Sequence, residues 1–293
     1  MGPESADDPG DAPDNPFLRL RSRTLIPWAI VGSVAGGVFL VIVSSVTPMD
    51  PDSAIVEFVF ALAFYGLLAA WIAWACRRAG IDLRRLVGRV PAGYNWLPAL
   101  GLLVTTMVFS TGSWFVTAYG LSHLAPGLLE ALVTLGETIV DSIAVAVAWA
   151  ILAVVIGPVT EEVLFRGMLV SRWGTKWGIG TGIVVSAVIF GVLHPVDAAG
   201  ATAFGFVAAL LYLQSRTLIV PIAVHAANNL VATVTGDLFA WGEPWTLAAE
   251  LEEIEAMALP GLAMVVVTLP VIIWYVRRHW PSRDAEIPYM KGG

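Results

Sequence analysis

Three short clusters of polar residues interrupt long apolar stretches of this chain: Glu161, Glu162 and Arg166; Phe190 and His194; His225 and Asn229. A charged side chain within a bilayer costs several kcal/mol, so an acidic pair in such surroundings needs a partner or a chemical task. Residues four apart share a helix face, which pairs Glu162 with Arg166, Phe190 with His194 and His225 with Asn229. Glu161 is turned about 100° from its neighbour and has no charged partner on its own helix. A carboxylate in that position suits a general base that takes a proton from water. A histidine can share that water, and a second histidine with an asparagine can donate hydrogen bonds to a developing oxyanion. These are the parts needed to hydrolyse a peptide bond. Glu161, His194 and His225 equally make a three-ligand set for a divalent metal such as zinc, with an open position for water. The H-E-x-x-H pattern is absent, and residue types alone leave metal-bound and carboxylate-held water both open. The single cysteine, Cys76, sits beside Arg77 and Arg78 and far along the chain from these clusters, so nucleophilic cysteine chemistry fits poorly.

The elements that carry these residues read as membrane helices. Of 293 residues, 57% are hydrophobic and 13% charged, with mean hydropathy +0.78; soluble domains are nearer half apolar and a quarter charged. The expected fold is all-α, a polytopic bundle of about eight transmembrane helices. Apolar segments fall at about 27–47, 54–76, 96–120, 139–172, 178–196, 200–214, 218–236 and 258–276. The sixth is short enough to be re-entrant or strongly tilted. Pro158 removes a backbone donor from the fourth, which predicts a kink. A hairpin about Gly174 and Thr175 would bring Glu161 and His194 to depths differing by roughly 7 Å, and His225 to roughly 13 Å from its own turn. Three helices can therefore meet at one level with Glu161, His194 and His225. Taken singly, either histidine is as well explained by a hydrogen bond between helices; their joint occurrence with Glu161 favours a site. His123 and His279 fall in loop or juxtamembrane positions.

With the amino terminus placed in the cytoplasm, 15 of the 16 Lys and Arg residues lie on the inner side, Arg166 being the exception. The opposite loops carry Asp50, Asp52, Glu130, Glu137, Asp197, Asp237, Glu243 and Glu250 to Glu255 without a base. Both termini are thus expected inside. Residues 1–16 read as a disordered acidic tail, 17–283 as the membrane domain, and 284–293 as a short C-terminal tail. The apolar spacing of Leu247, Leu251, Ile254 and Met257 predicts a short amphipathic helix on the outer surface. No signal peptide or prenylation box is expected, and no nucleic-acid partner; the surrounding partner is membrane lipid.

In order and inside apolar segments, EEVLFR (Glu161 to Arg166), FGVLH (Phe190 to His194) and HAANN (His225 to Asn229) resemble the EExxxR, FxxxH and HxxxN signature of the CPBP family of intramembrane proteases. That family includes CAAX prenyl proteases and bacteriocin-processing and immunity proteins. The resemblance covers roughly residues 140–236. It implies a helical membrane fold with a water-filled cavity open to the cytoplasmic side and to lipid, in a prokaryotic plasma membrane, and an endopeptidase acting on a membrane-associated or lipidated peptide. It implies that Glu161 and His194 activate water, that His225 and Asn229 steady the oxyanion, and that Glu162 and Arg166 support the site. Phe190 is expected in the pocket wall. Metal dependence is contested within the family. The alternatives are a non-catalytic scaffold or immunity protein, and a proton-coupled transporter, because intramembrane Glu and His also build proton relays.

Overall fold

The structure is a computed structural model that describes residues 15–46, 54–136, 143–235, 246–282 and 285–291. Expectations for residues 1–14, and for Asp50, Asp52, Glu137, Asp237, Glu243 and Arg283, lie outside the described residues. Every described element is helical, with no strand among the described residues. The principal helices are α1 Leu25–Val46, α2 Ala54–Ala79, α3 Leu97–Leu124, α4 Pro126–Gly136 and α5 Ile143–Trp177. They continue as α6 Ile179–Val192, α7 Ala198–Ser215, α8 Ile219–Thr233 and α9 Leu247–Arg278. Eight of these stand where the apolar segments were read. Five, counting α7 from Pro195, are long and apolar enough to cross a bilayer, and α6 and α8 are shorter apolar helices. α1 adds 22 residues without a charge. The outward sides carry exposed apolar residues such as Val34, Phe64, Val104, Val155 and Val266, as a surface facing lipid requires.

Several boundaries differ from those the sequence suggested. The turn after the fourth segment falls at Gly178, with φ of 91°, rather than at Gly174 and Thr175. Gly178 alone there can adopt that backbone without strain, and α5 continues helical to it. Pro158 lies inside that rod, between two wider π-helical stretches, Leu152–Ile156 and Val163–Val170. The predicted outer amphipathic helix is instead the first turns of α9, started by Thr246, whose Oγ1 accepts from Ala249 N at 3.2 Å. Its Ile254 is buried with Phe115, Ala118, Leu129 and Val133, so α4, an element not foreseen, closes a small second core at the acidic end. The predicted tail ends sooner than residue 16: Asn15 caps a helical turn, and Phe17 is fully buried. Phe17 meets Tyr289 edge-on at 5.3 Å. Tyr289 Oη in turn accepts from Asp82 N.

The sixth segment, read as re-entrant or strongly tilted, forms a helix that, counted from Pro195, is long and apolar enough to cross a bilayer. α7 is the most enclosed of the long spans, with residues Val207 to Tyr212 almost entirely buried. Its 18 residues reach about 27 Å, close to the hydrocarbon thickness. α6 lies against it through Gly205, whose missing Cβ would sit 2.9 Å from Ala187 Cα. α9 packs on α3 in the same way, Gly112 facing Gly261. A Cβ on Gly112 would lie 2.7 Å from both Gly261 O and Met264 Cβ. Gly112→Val is therefore expected to cost about 1–3 kcal/mol by forcing the two helices apart. Thermal unfolding in detergent checks this, with Gly101→Val, where a side chain meets open space, as the silent control.

The basic segments gather at one end of the bundle. Leu218 N donates to Val87 O at 2.8 Å. Arg85 Nε donates to Tyr289 O at 3.1 Å. Asn15 Nδ2 reaches Thr175 Oγ1 at 3.4 Å.

Candidate active site

Glu161 and Glu162 lie near the middle of α5, in the short α-helical stretch Gly157–Glu162 between its two π-helical ones. Their directions diverge as their adjacency requires. Glu162 is fully buried, and its Oε1 accepts from Arg166 Nη1 at 2.7 Å. The Arg166 guanidinium lies over the faces of Phe190, at 4.5 Å, and Phe204, at 5.5 Å. Those rings form the base on which the site rests.

His225 comes from α8 and is buried. Its Nδ1 meets Glu162 Oε1 at 2.8 Å, so one carboxylate holds both the guanidinium and the imidazole. His194 was expected on the helix face of Phe190. The structure places it just past the end of α6, with φ of −118° and ψ of 65°. Pro195 explains this, because the residue before a proline is driven out of the helical region. Its Nδ1 finds Phe190 O at 2.7 Å, one of the carbonyls that a helix end leaves without a partner. Phe190 itself is buried, packs against the His194 ring at 4.3 Å and lines the cavity.

Both Nδ1 contacts go to oxygens that only accept, so each Nδ1 carries its hydrogen and each Nε2 faces inward. There the two Nε2 atoms lie 3.9 Å from the same atom, Glu161 Oε2. The expected convergence of three elements is therefore present. The other oxygen, Oε1, accepts from Tyr65 Oη at 2.6 Å. Tyr65 lies on α2, outside every motif, marked in the sequence only as a polar atom in an apolar helix. Gly157 leaves room for the phenol; a Cβ there would lie 3.3 Å from the hydroxyl.

Asn229 shares the face of His225, but its amide Nδ2 donates to Ala153 O at 2.8 Å. The cause lies in α5. Gly157 N bonds Leu152 O in the wider π register. The next donor in that register is Pro158, which has no N–H, so Ala153 O is left for Asn229. The second amide hydrogen of Asn229 remains available.

A cavity of about 230 Å³ joins these groups, lined by Tyr65, Ala153, Glu161, Phe190, His194, Phe204, His225, Asn228 and Asn229 among others. Glu162 and Arg166 are not in its lining; they stand behind it. Asp197, read from sequence only as an outer-loop acid, reaches the rim. Its carboxylate accepts from Ser110 Oγ and from Gly200 N. His194 is the more open imidazole, 39% exposed against 6% for His225, so access to Glu161 runs past His194.

Glu161, His194 and His225 were the metal candidates. In a tetrahedral zinc site with bonds of about 2.0–2.2 Å, neighbouring donors stand about 3.4 Å apart. Both measured separations are wider, and no group of three His, Cys, Asp or Glu among the described residues is arranged to hold an ion. A water, at about 2.8 Å from each atom, fits the gap.

Comparison with known proteins agrees with the motifs. Residues 142–231 match the family model described as "Type II CAAX prenyl endopeptidase Rce1-like". The chain is 30% identical over 101 residues to "Putative membrane peptidase YdiL" of Bacillus subtilis (strain 168). That alignment covers 33% of this chain and 41% of the relative, so the chain spans under half the length of the relative it matches. No solved structure matches significantly. The matched segment holds all three motifs and is similar to the family that its sequence resembles.

Proposed function

We propose that the protein is an intramembrane endopeptidase in which Glu161 and His194 activate a water against a peptide bond of a membrane-associated substrate. The observation that supports this most is the meeting of Glu161 Oε2 with two imidazole Nε2 atoms, each 3.9 Å away, at a cavity among membrane helices. A water there donates one hydrogen to Oε2 and the other to His194 Nε2. Glu161 takes a proton as the water oxygen bonds to the carbonyl carbon. The oxyanion so formed faces the second amide hydrogen of Asn229 and Nε2 of His225. For His225 to donate from Nε2 its ring carries both protons, and the carboxylates of Glu161 and Glu162 on either side balance that charge. The C–N bond breaks as the proton held by Glu161 passes to the departing amine. Glu162 and Arg166 position His225 and touch no reacting atom.

Tyr65 fixes which Glu161 oxygen faces the water. Tyr65→Phe is expected to lower kcat about tenfold with KM unchanged, the loss of one hydrogen bond to a charged group. Steady-state kinetics in liposomes separates the two parameters.

The substrate class follows from the surroundings of the site. The cavity lies among helices whose outer faces are apolar, which suits a lipidated peptide, prenylated or otherwise. The sorting of 15 of 16 bases supports both termini on the cytoplasmic side of a prokaryotic plasma membrane. The test is cleavage of prenylated and unmodified peptides in liposomes, with proton flux recorded in parallel. The expected result is cleavage that survives a chelator, with no flux. Flux without cleavage of any lipidated peptide would replace this reading with a transporter, and neither activity would favour the scaffold.

A further inference from the structure

A second cavity, of about 810 Å³, lies at the basic end of the bundle and shares no lining residue with the first. Its walls come from three places: the segment leading into α1, the last turns of α2 and the last turns of α5. Six lining residues are cationic: Arg19, Arg21, Arg23, Arg78, Arg172 and Lys176. Among the described residues, no lining residue is acidic. Cations concentrated in one concave site raise the local potential, and low-dielectric walls focus it. Nη1 of Arg172 is buried there and has no hydrogen-bond partner among the described residues. A buried donor left unmet is costly, so an acceptor is called for at that point.

The aromatic residues say what kind of acceptor. Trp74, Trp173 and Trp177 share the walls, with Trp173 and Trp177 stacked at 6.3 Å and 17°. Arg78 lies over Trp74 at 5.4 Å and Lys176 over Trp177 at 5.0 Å. Tryptophan at the ends of membrane helices sits at headgroup depth. All three are at such ends. Directly beyond the cavity, α1 turns an exposed apolar side outward at Ile26 and Ile30, where acyl chains can lie.

We propose that this cavity binds the phosphate headgroup of an anionic phospholipid, with Arg172 and Lys176 as principal contacts and the acyl chains along α1. Basic pockets between membrane helices take headgroups in this manner. The inference does not depend on the proposed peptidase activity. One other occupant is available on the chain itself: residues 1–14 carry five acids, Glu4, Asp7, Asp8, Asp11 and Asp14, and lead directly into Asn15.

The experiment is lipid binding to the purified full chain in neutral detergent, read by native mass spectrometry and by thermal shift. The probes are phosphatidylglycerol, phosphatidylcholine, inorganic phosphate and glycerol phosphate. The expected result is retained phosphatidylglycerol and a raised unfolding temperature, with at least tenfold weaker binding of phosphatidylcholine and of both soluble phosphates. Arg172→Gln with Lys176→Gln, and separately Arg21→Gln with Arg23→Gln on exposed positions that do not threaten the fold, should each reduce binding about tenfold. Arg277→Gln with Arg278→Gln removes the same charge outside the cavity and should not. Equal loss in that control would reduce the effect to general charge and overturn the proposal. Unchanged binding in both cavity variants would also overturn it. Full stabilisation by inorganic phosphate alone would assign an ion site instead of a lipid site. Lipid binding that emerges only after deletion of residues 2–14 would assign the cavity to the acidic segment.

Discussion

Glu161→Gln is expected to reduce peptide cleavage by about 10²–10⁴-fold, the range over which a positioned general base contributes. The protein should remain folded and extract at normal yield. The amide keeps the shape of the side chain and can still accept from Tyr65 through its oxygen. It cannot take a proton from the water that Oε2 otherwise faces together with His194 and His225. Glu161 is not part of the Glu162–Arg166 pair, so removing its charge leaves Arg166 with its own carboxylate. The loss should fall on kcat, because the interaction is realised as the proton moves and not when substrate binds. Circular dichroism and elution volume matching wild type would separate this from unfolding; a change below tenfold in kcat would remove Glu161 from the role of base.

Its neighbour should behave in the opposite way. Glu162→Ala is expected to destabilise the fold by about 3–5 kcal/mol, the cost of leaving one member of a buried ion pair uncompensated. Arg166 is 1% exposed and has no charged partner to turn to within the ring cluster of Phe190 and Phe204. Nδ1 of His225 also loses its acceptor. Glu162→Gln, which keeps an acceptor but not the charge, should fall between. The pair Glu162→Gln with Arg166→Met should recover most of the stability, since replacing both members of a buried pair is tolerated better than breaking it. Unfolding in detergent by temperature or denaturant reads all three. Two adjacent glutamates, one failing in chemistry and one in folding, is a pattern that a shared catalytic role would not produce.

Much of this was legible before any coordinates. The eight apolar helices, the Glu162–Arg166 pair and the convergence on Glu161 follow from hydropathy and from the spacing of three motifs. What escaped depended on backbone detail. A hairpin placed at Gly174 ignored the stronger turn residue at Gly178, because both glycines are plausible until a positive φ selects one. The helical spacing of FGVLH puts His194 on a helix, yet α6 ends at Val192, two residues short, ahead of Pro195. The engagement of Asn229 by Ala153 O depends on a π register that no hydropathy pattern encodes. Tyr65 stands 96 residues from Glu161, and only packing of α2 against α5 brings the phenol to the carboxylate. The acidic segment reads as a separate amphipathic helix; its continuity with the last span in α9 depends on packing against α3 and α4. Ile254 shows that one side of that segment packs inward while its acids face out.

The account rests on Glu161 and His194 acting on one water. The most direct measurement is a double-substitution cycle of cleavage rates in liposomes: wild type, Glu161→Gln, His194→Gln, and both together. Groups that work as a unit give strongly non-additive losses. The prediction is that the double variant loses little more than the worse single one. Losses that multiply, each residue contributing its full factor in the absence of the other, would contradict the shared water.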